Sequence, residues 1–183
     1  MGMKKYQIIY ADPPWEYTAS ECIAKKSCLS GEHQEHYQYM HLEDIKKLPI
    51  QNICEKSCLC FMWSTSPKLN EAIELGGAWG FQYSTVAFVW DKQRLNPSYY
   101  TMSQIEMCLV FRKGNIPKPR GARNIRQFLS EERTLHSKKP EEIRNRINQM
   151  FPLQRKIELF ARQKTEGWDV WGNEVQSDIR LGV

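Results

Sequence analysis

Long apolar runs are missing from this sequence. The two longest clean stretches, Cys58 to Trp63 and Val86 to Trp90, fall far short of the roughly eighteen residues a membrane helix needs, which excludes a helical span. The opening Met1-Gly2-Met3-Lys4-Lys5-Tyr6 has no apolar core of the kind a secretion signal carries, and Tyr6 stands where a myristoylation motif wants Ser or Thr. A cytoplasmic location is expected. Low-complexity blocks and internal repeats are also missing, which argues against disorder and against solenoids. There is no P-loop and no dinucleotide glycine fingerprint. Ser64-Thr65-Ser66 has no His and Asp at recognisable spacing, so a hydrolase triad is not expected.

What remains is a chain of 183 residues, 41% hydrophobic and 11% aromatic, enough to bury a core and of a length for one domain over 1–183. Six cysteines without a secretion signal read as reduced thiols. Cys54, Cys58 and Cys60, with His33, His36 and His41 upstream, do not have zinc spacing; Cys58 and Cys60 fall on one face of an apolar strand, as small core residues do. No metal is expected. Acidic residues are scarce in one place. From Arg112 to Lys139 only Glu131 and Glu132 oppose Arg112, Lys113, Lys118, Arg120, Arg123, Arg126, Arg133, Lys138 and Lys139. The segment is read as a surface for a polyanion, with Lys113, Lys118, Arg120, Arg123 and Arg126 as phosphate contacts; a solvated basic loop is the alternative.

The pattern alternates short β-type runs with helical ones, the signature of α/β layering around a mostly parallel sheet. Tyr6 to Ala11 is a buried strand stopped by Asp12-Pro13-Pro14, because consecutive prolines cannot continue a ladder. Residues 18–38 read as a long loop and Leu42 to Leu48 as a short helix. Cys58 to Ser64, Pro67 to Trp79 and Tyr83 to Trp90 form a strand, a helix and a strand, one βαβ unit. Asp91 to Ser103 reads as a loop and Glu106 to Arg112 as an antiparallel edge strand. Pro140 to Met150 is predicted helical, with Ser137 or Lys139 near its cap. Lys156 to Phe160 and Trp168 to Trp171 are the last strands.

The motif that carries chemistry is Asp12-Pro13-Pro14-Trp15, at the carboxyl end of the first strand, where ligands bind in open α/β sheets. By average residue usage it would arise by chance in a chain this long roughly a few times in ten thousand. The plain alternative is an Asp-Pro turn with a Trp packed beside it.

On these residues the chain resembles the MT-A70-like adenine N6-methyltransferases, a family with the catalytic subunit that methylates messenger RNA and smaller bacterial and phage DNA-modifying members. The likeness rests on Ala11-Asp12-Pro13-Pro14-Trp15, Tyr37 followed by Met40, Phe61-Met62-Trp63, and Cys108-Leu109-Val110 with Lys113-Gly114. It continues through His136-Ser137-Lys138-Lys139-Pro140, Lys156 to Arg162, and Trp168 with Gly172-Asn173-Glu174, in the family's order. There is no Phe-x-Gly-x-Gly loop of the kind many other DNA amino-methyltransferases carry; Phe160-Ala161-Arg162 stands in its place. Gln163-Lys164-Thr165 departs from the Pro-His-Asn of the messenger-RNA enzyme.

The resemblance implies a Rossmann-like fold with helices on both faces of the sheet, and S-adenosylmethionine as cofactor. It makes Asp12, Pro13, Pro14 and Trp15 the catalytic turn. Tyr37, Glu106 and Lys139 would meet the substrate, with simple solvation the alternative for Glu106. Asp12, Lys139, Arg162, Gln163, Asn173 and Glu174 would hold the cofactor. Adenine's exocyclic amine is a poor nucleophile, its lone pair being delocalised into the ring. The Asp12 carboxylate and the Pro13 carbonyl can each accept one amine hydrogen and free that pair, while Trp15 or Tyr37 would stack on a base flipped from its duplex. The substrate is expected to be adenine in DNA, favoured over RNA because the chain is short. The alternatives are an RNA adenosine methyltransferase and a silent nucleic-acid-binding subunit. A homodimer or a second methyltransferase-like subunit is the expected assembly, and a membrane is not an expected partner.

Overall fold

The structure is a computed structural model and describes residues 4–17, 39–98, 100–133 and 138–182. In chain order come β1 (Tyr6–Ala11), α1 (Leu42–Lys47), β2 (Cys54–Ser64), α2 (Leu69–Ala78), β3 (Gln82–Asn96), β4 (Ser103–Lys113), β5 (Phe128–Ser130), α3 (Glu141–Met150), β6 (Lys156–Leu159) and β7 (Asp169–Trp171). Short 3-10 turns precede β2 at Ile50–Ile53 and α2 at Ser66–Lys68. Among the described residues no helix is long and apolar enough to cross a membrane.

The strands form a seven-stranded sheet in the order β5-β3-β4-β2-β1-β6-β7. β1 pairs parallel with β2 and β6, β6 with β7, and β3 with β5. β4 runs against both of its neighbours. β2 is apolar without alternation because both of its faces are covered. Cys58, Cys60 and Met62 face a core closed by Ile45 of α1 and by Ala72 and Leu75 of α2. Leu59, Phe61 and Trp63 face the other core, closed by Ile143 and Ile147 of α3. The buried positions of Cys58 and Cys60 are those expected of small core residues.

Two expectations need correction. The antiparallel strand is not at an edge: β4 lies between β2 and β3, with Cys108, Leu109 and Phe111 fully buried. The two parallel strands of the βαβ unit are therefore separated by β4 rather than adjacent. Asp91 to Ser103 is not all loop either, since β3 continues to Asn96 and β4 begins at Ser103. Polar side chains hide this stretch from a periodicity reading; β4 pairs with it at Asp91 and at Asn96, and between them the Lys92 carbonyl accepts from Arg133 N–H.

α3 starts at Pro140, which is itself the N-cap, ahead of Glu141 and Glu142 in the first turn, where acidic groups suit the helix dipole. Arg144 pins α3 to the sheet by donating to both oxygens of Glu158 on β6, at 2.9 and 2.7 Å. α2 approaches β4 so closely that a Cβ on Gly76 would lie 2.3 Å from the Phe111 ring, which is why glycine stands there.

Candidate active site

Strand register gathers the site. Ala11 pairs with Met62 and with Leu159, and Leu159 pairs with Trp171. The next residues along, Asp12, Trp63, Phe160 and Gly172, therefore line one edge, at the carboxyl ends of the parallel strands. β4 is reversed, so its beginning reaches the same edge; Met107 is opposite Ser64.

The turn after β1 is held by its own backbone. Trp15 N–H donates to the Pro13 carbonyl at 2.8 Å, and Met40 N–H donates to the Pro14 carbonyl at 3.2 Å. Trp15 is only 6% exposed, packs in the α1/α2 core, and donates its indole N–H to the Trp63 carbonyl at 3.2 Å. Of the two aromatics expected to stack on a base, Trp15 is thus a structural support of the turn. Tyr37 lies outside the described residues, as do His136 and Ser137.

A line of alternating charges runs from the turn to β3. Lys139 Nζ lies 3.1 Å from Asp12 Oδ1 and 3.0 Å from Glu106 Oε2, and Lys92 Nζ lies 3.3 Å from Glu106 Oε1. The side chains are 26% (Asp12), 13% (Lys139), 12% (Glu106) and 8% (Lys92) exposed. The four charges sum to zero, which is what lets them stay ionised out of water. Lys139 also stands 5.6 Å over the Trp63 ring, and the Trp63 indole N–H donates to Tyr10 Oη at 2.6 Å. Glu106 is therefore not a solvated edge residue.

Burial raises the pKa of Asp12 above the usual carboxylate value; Lys139 opposes the shift and the Glu106 charge adds to it. For Glu106 burial also pushes upward, but Lys139 and Lys92 outweigh it and hold the carboxyl low. Lys139 is raised, since its two carboxylates overcome burial. The raised Asp12 is the better proton acceptor of the pair. Removing the Glu106 charge removes one cause of the rise and leaves Lys139 to Asp12 alone, and both changes lower the Asp12 pKa. Glu106→Gln is therefore expected to move the acidic limb of the rate profile to lower pH, measured as kcat against pH; a limb that stays or moves upward contradicts the coupling.

On the β6 and β7 side the loops are stitched together. Ala161 N–H donates to the Trp171 carbonyl at 3.0 Å, and a Cβ on Gly172 would lie 2.1 Å from the Ala161 carbonyl oxygen. Arg162 Nε lies 3.6 Å from Glu174 Oε1, with Glu174 58% exposed, and the Arg162 charge is felt at Asp12. Asn173 sits between Gly172 and Glu174 on the same edge. Gln163 lines an open polar cleft with Glu141, Asn145 and Asn148 of α3.

The basic segment is not gathered at Asp12. Lys113 pairs with Cys58 and ends β4 at the opposite edge, five residues beyond the level of Asp12, or about 17 Å of strand. Gly121 and Ala122 donate to the carbonyls of Met150 and Gln149 at the far end of α3, and the Arg120 guanidinium stacks 4.7 Å from the Phe151 ring. Lys118 lies in the same far stretch. Arg123 and Arg126 are exposed along the climb back, and the segment reaches the site where Arg133 N–H donates to the Lys92 carbonyl and again at Lys139. Lys92 and the supporting role of Trp63 were not legible as site features. Lys92 lies in the stretch read as loop, and the one available signal for Trp63 was its place in Phe61-Met62-Trp63.

Comparison with known proteins agrees with the geometry. A family model described as MT-A70 matches residues 6–174. The Type II methyltransferase M.MunI of Mycoplasma sp is 46% identical over 94% of this chain and 78% of its own length. The N(6)-adenine-specific methyltransferase METTL4 of Mus musculus is 27% identical over 94% of this chain and 38% of its own. The N(6)-adenosine-methyltransferase subunit METTL3 of Danio rerio is 27% identical over 93% of this chain and 28% of its own. With its Asp-Pro-Pro-Trp turn at the carboxyl edge of the sheet, the chain belongs to the MT-A70 family.

Proposed function

We infer that this chain methylates the 6-amino group of adenine in DNA, using S-adenosylmethionine. The observation that carries the reading is the Asp12 carboxylate, raised in pKa and steadied at Oδ1 by Lys139, at the carboxyl edge of a sheet where ligands bind. The 46% identity to M.MunI, a type II methyltransferase, supports DNA as the polymer. The sheet, with helices on both faces and its site at the strand ends, supports the Rossmann-like arrangement of the expected class. The intact Asp12-Pro13-Pro14 turn and its Lys139 contact weigh against a silent subunit.

The donor set suits the cofactor. Exposed Glu174 can accept two hydroxyls of a ribose, and Arg162 and Lys139 can face a carboxylate, with Asn173 beside them. When bound, S-adenosylmethionine supplies an electrophilic methyl on a positively charged sulfur. Asp12 and the Pro13 carbonyl each accept an amine hydrogen of adenine, drawing the nitrogen toward tetrahedral and freeing its lone pair. A carboxylate offers about four acceptor positions, so Lys139 on Oδ1 does not exhaust Asp12. As the new N–C bond forms and the methyl–sulfur bond breaks, its electron pair staying on what would leave as a neutral thioether, the amine gives up one proton to Asp12, which passes it to water. Pro13 and Pro14 hold the acceptors before substrate arrives, lowering the cost of orientation.

The test is transfer of labelled methyl from S-adenosylmethionine to matched DNA and RNA pools, read by nucleoside mass analysis. N6-methyladenine in DNA is expected; label in RNA or on cytosine overturns the reading. Lys138 stands exposed beside Lys139, close enough to the site to hold a phosphate of the target strand. Lys138→Ala is expected to lower kcat/KM and reduce the salt slope by about one. Lys113→Ala, on the opposite edge, is expected to leave both nearly unchanged; equal effects would place the duplex across both edges.

A further inference from the structure

We propose that the part of the β3–β4 hairpin standing beyond the sheet enters the DNA duplex, and that Tyr100 at its tip fills the gap left in the base stack when the target adenine turns out toward Asp12. The inference rests on the DNA-adenine reading above and adds the element that opens the duplex.

The hairpin outruns its neighbours. β2 last pairs with β4 at Ser64 and Met107 and β5 last pairs with β3 at Ser130 and Asp91, whereas β3 and β4 pair once more, past a break in register, at Asn96 and Ser103. Past the Asp91–Ile105 pair β4 still supplies Gln104 and Ser103, about 7 Å of strand, before the turn that carries Tyr100. The overhang rises from the site itself, because Glu106 at its base touches Lys139 and Lys139 touches Asp12.

The base of the overhang is braced. The Asp91 carboxylate accepts from Gln104 Nε2 at 2.7 Å, Ser130 Oγ at 2.9 Å and Gln93 N–H at 2.9 Å. The Trp90 indole N–H donates to the Glu131 carbonyl at 2.8 Å. Just above the brace the register is irregular and Gln93 takes φ +53°, a bulge of the kind that re-aims a strand pair. A rigid base with a turned arm suits an element that must push into a stack.

The tip is apolar where water would favour polar residues. Tyr100 is 96% exposed, Leu95 56% and Met102 52%, with exposed Arg94 on the same arm. Exposed apolar groups gathered at one place mark a contact surface. An apolar or aromatic side chain inserted between base steps is how proteins hold DNA unstacked, and an aromatic face stacks on any base. Flipping the target adenine leaves such a gap.

The experiment uses the target site mapped from methylated plasmid DNA. One duplex carries the target adenine opposite thymine; the other carries it opposite an abasic site, where leaving the stack costs little. Tyr100→Ala is expected to lose about ten- to a hundredfold in kcat/KM on the paired duplex and to stay within about threefold of wild type on the other. Tyr100→Trp is expected to restore the paired activity. Equal losses on both duplexes, no loss on either, or a dimer that becomes a monomer on substitution would overturn the arm and leave adenine methylation standing. A wild-type enzyme that labels neither duplex would overturn the adenine-DNA reading, and the arm with it.

Discussion

Asp12→Asn is expected to lower kcat by about a thousandfold while the chain stays folded, with a small change in its unfolding midpoint. The asparagine oxygen still accepts a hydrogen bond, so the amine can be positioned, but the charge that draws the nitrogen's hydrogens away and receives the proton is gone. General-base and charge-stabilising groups are worth about 10²- to 10⁴-fold each. Stability changes little because two effects oppose: the fold raises the Asp12 pKa, with burial the leading cause, and Asp12 in turn supports the Lys139 charge. The folded chain binds this proton more tightly than the unfolded one. The group's stabilisation is therefore full below the unfolded pKa near 4 and is lost as pH rises through the folded value. At neutral pH the Asp12 charge is carried at a cost that a neutral isostere relieves, but the isostere also leaves Lys139 and Lys92 against Glu106 alone. Loss of activity with retained stability is the signature of a site selected for chemistry; parallel losses in chemical-denaturation and turnover measurements would make Asp12 a structural anchor instead.

Trp15→Ala is expected to cost about 3–5 kcal/mol of stability, the range for emptying a buried aromatic site. Trp15 is 6% exposed, packs against the α1/α2 core, and its indole reaches the Trp63 carbonyl. Removing it opens a cavity beneath the Pro13–Pro14 turn and leaves that carbonyl without the indole donor. Trp15→Phe keeps most of the volume and loses the donor, so a cost of about 1–2 kcal/mol is expected. The reading is made by urea denaturation of both variants. Unchanged midpoints with a rise in KM alone would return Trp15 to the base-stacking role.

Most strands and helices and the turn after β1 were legible in the sequence because each is local; β5, three residues inside the basic segment, was not. Tyr6 to Ala11 is a buried apolar run, and Asp12-Pro13-Pro14 can only end it. Strand order was not legible. β4 carries an apolar run that suits an edge or an interior, and only its pairing partners seat it between β2 and β3. The course of the basic segment was not legible for a related reason: its charges are neighbours along the chain, but the backbone carries them from one sheet edge to the other. Lys113 and Lys139 therefore lie at opposite ends. The burial of Trp15 was not legible because it depends on the chain returning at Met40 to bond the Pro14 carbonyl. Lys92 became a site residue only through the reach of β3, where a polar stretch is paired by its backbone alone.

The central claim is that Asp12 and the Pro13 carbonyl grip the adenine amine. A crystal structure with a duplex and a non-transferring cofactor analogue tests it most directly. The account predicts the target adenine out of the stack, with N6 within hydrogen-bond reach, about 2.7–3.2 Å, of both an Asp12 carboxylate oxygen and the Pro13 oxygen. An amine held instead by Glu106, or an adenine still stacked in its duplex, would contradict it.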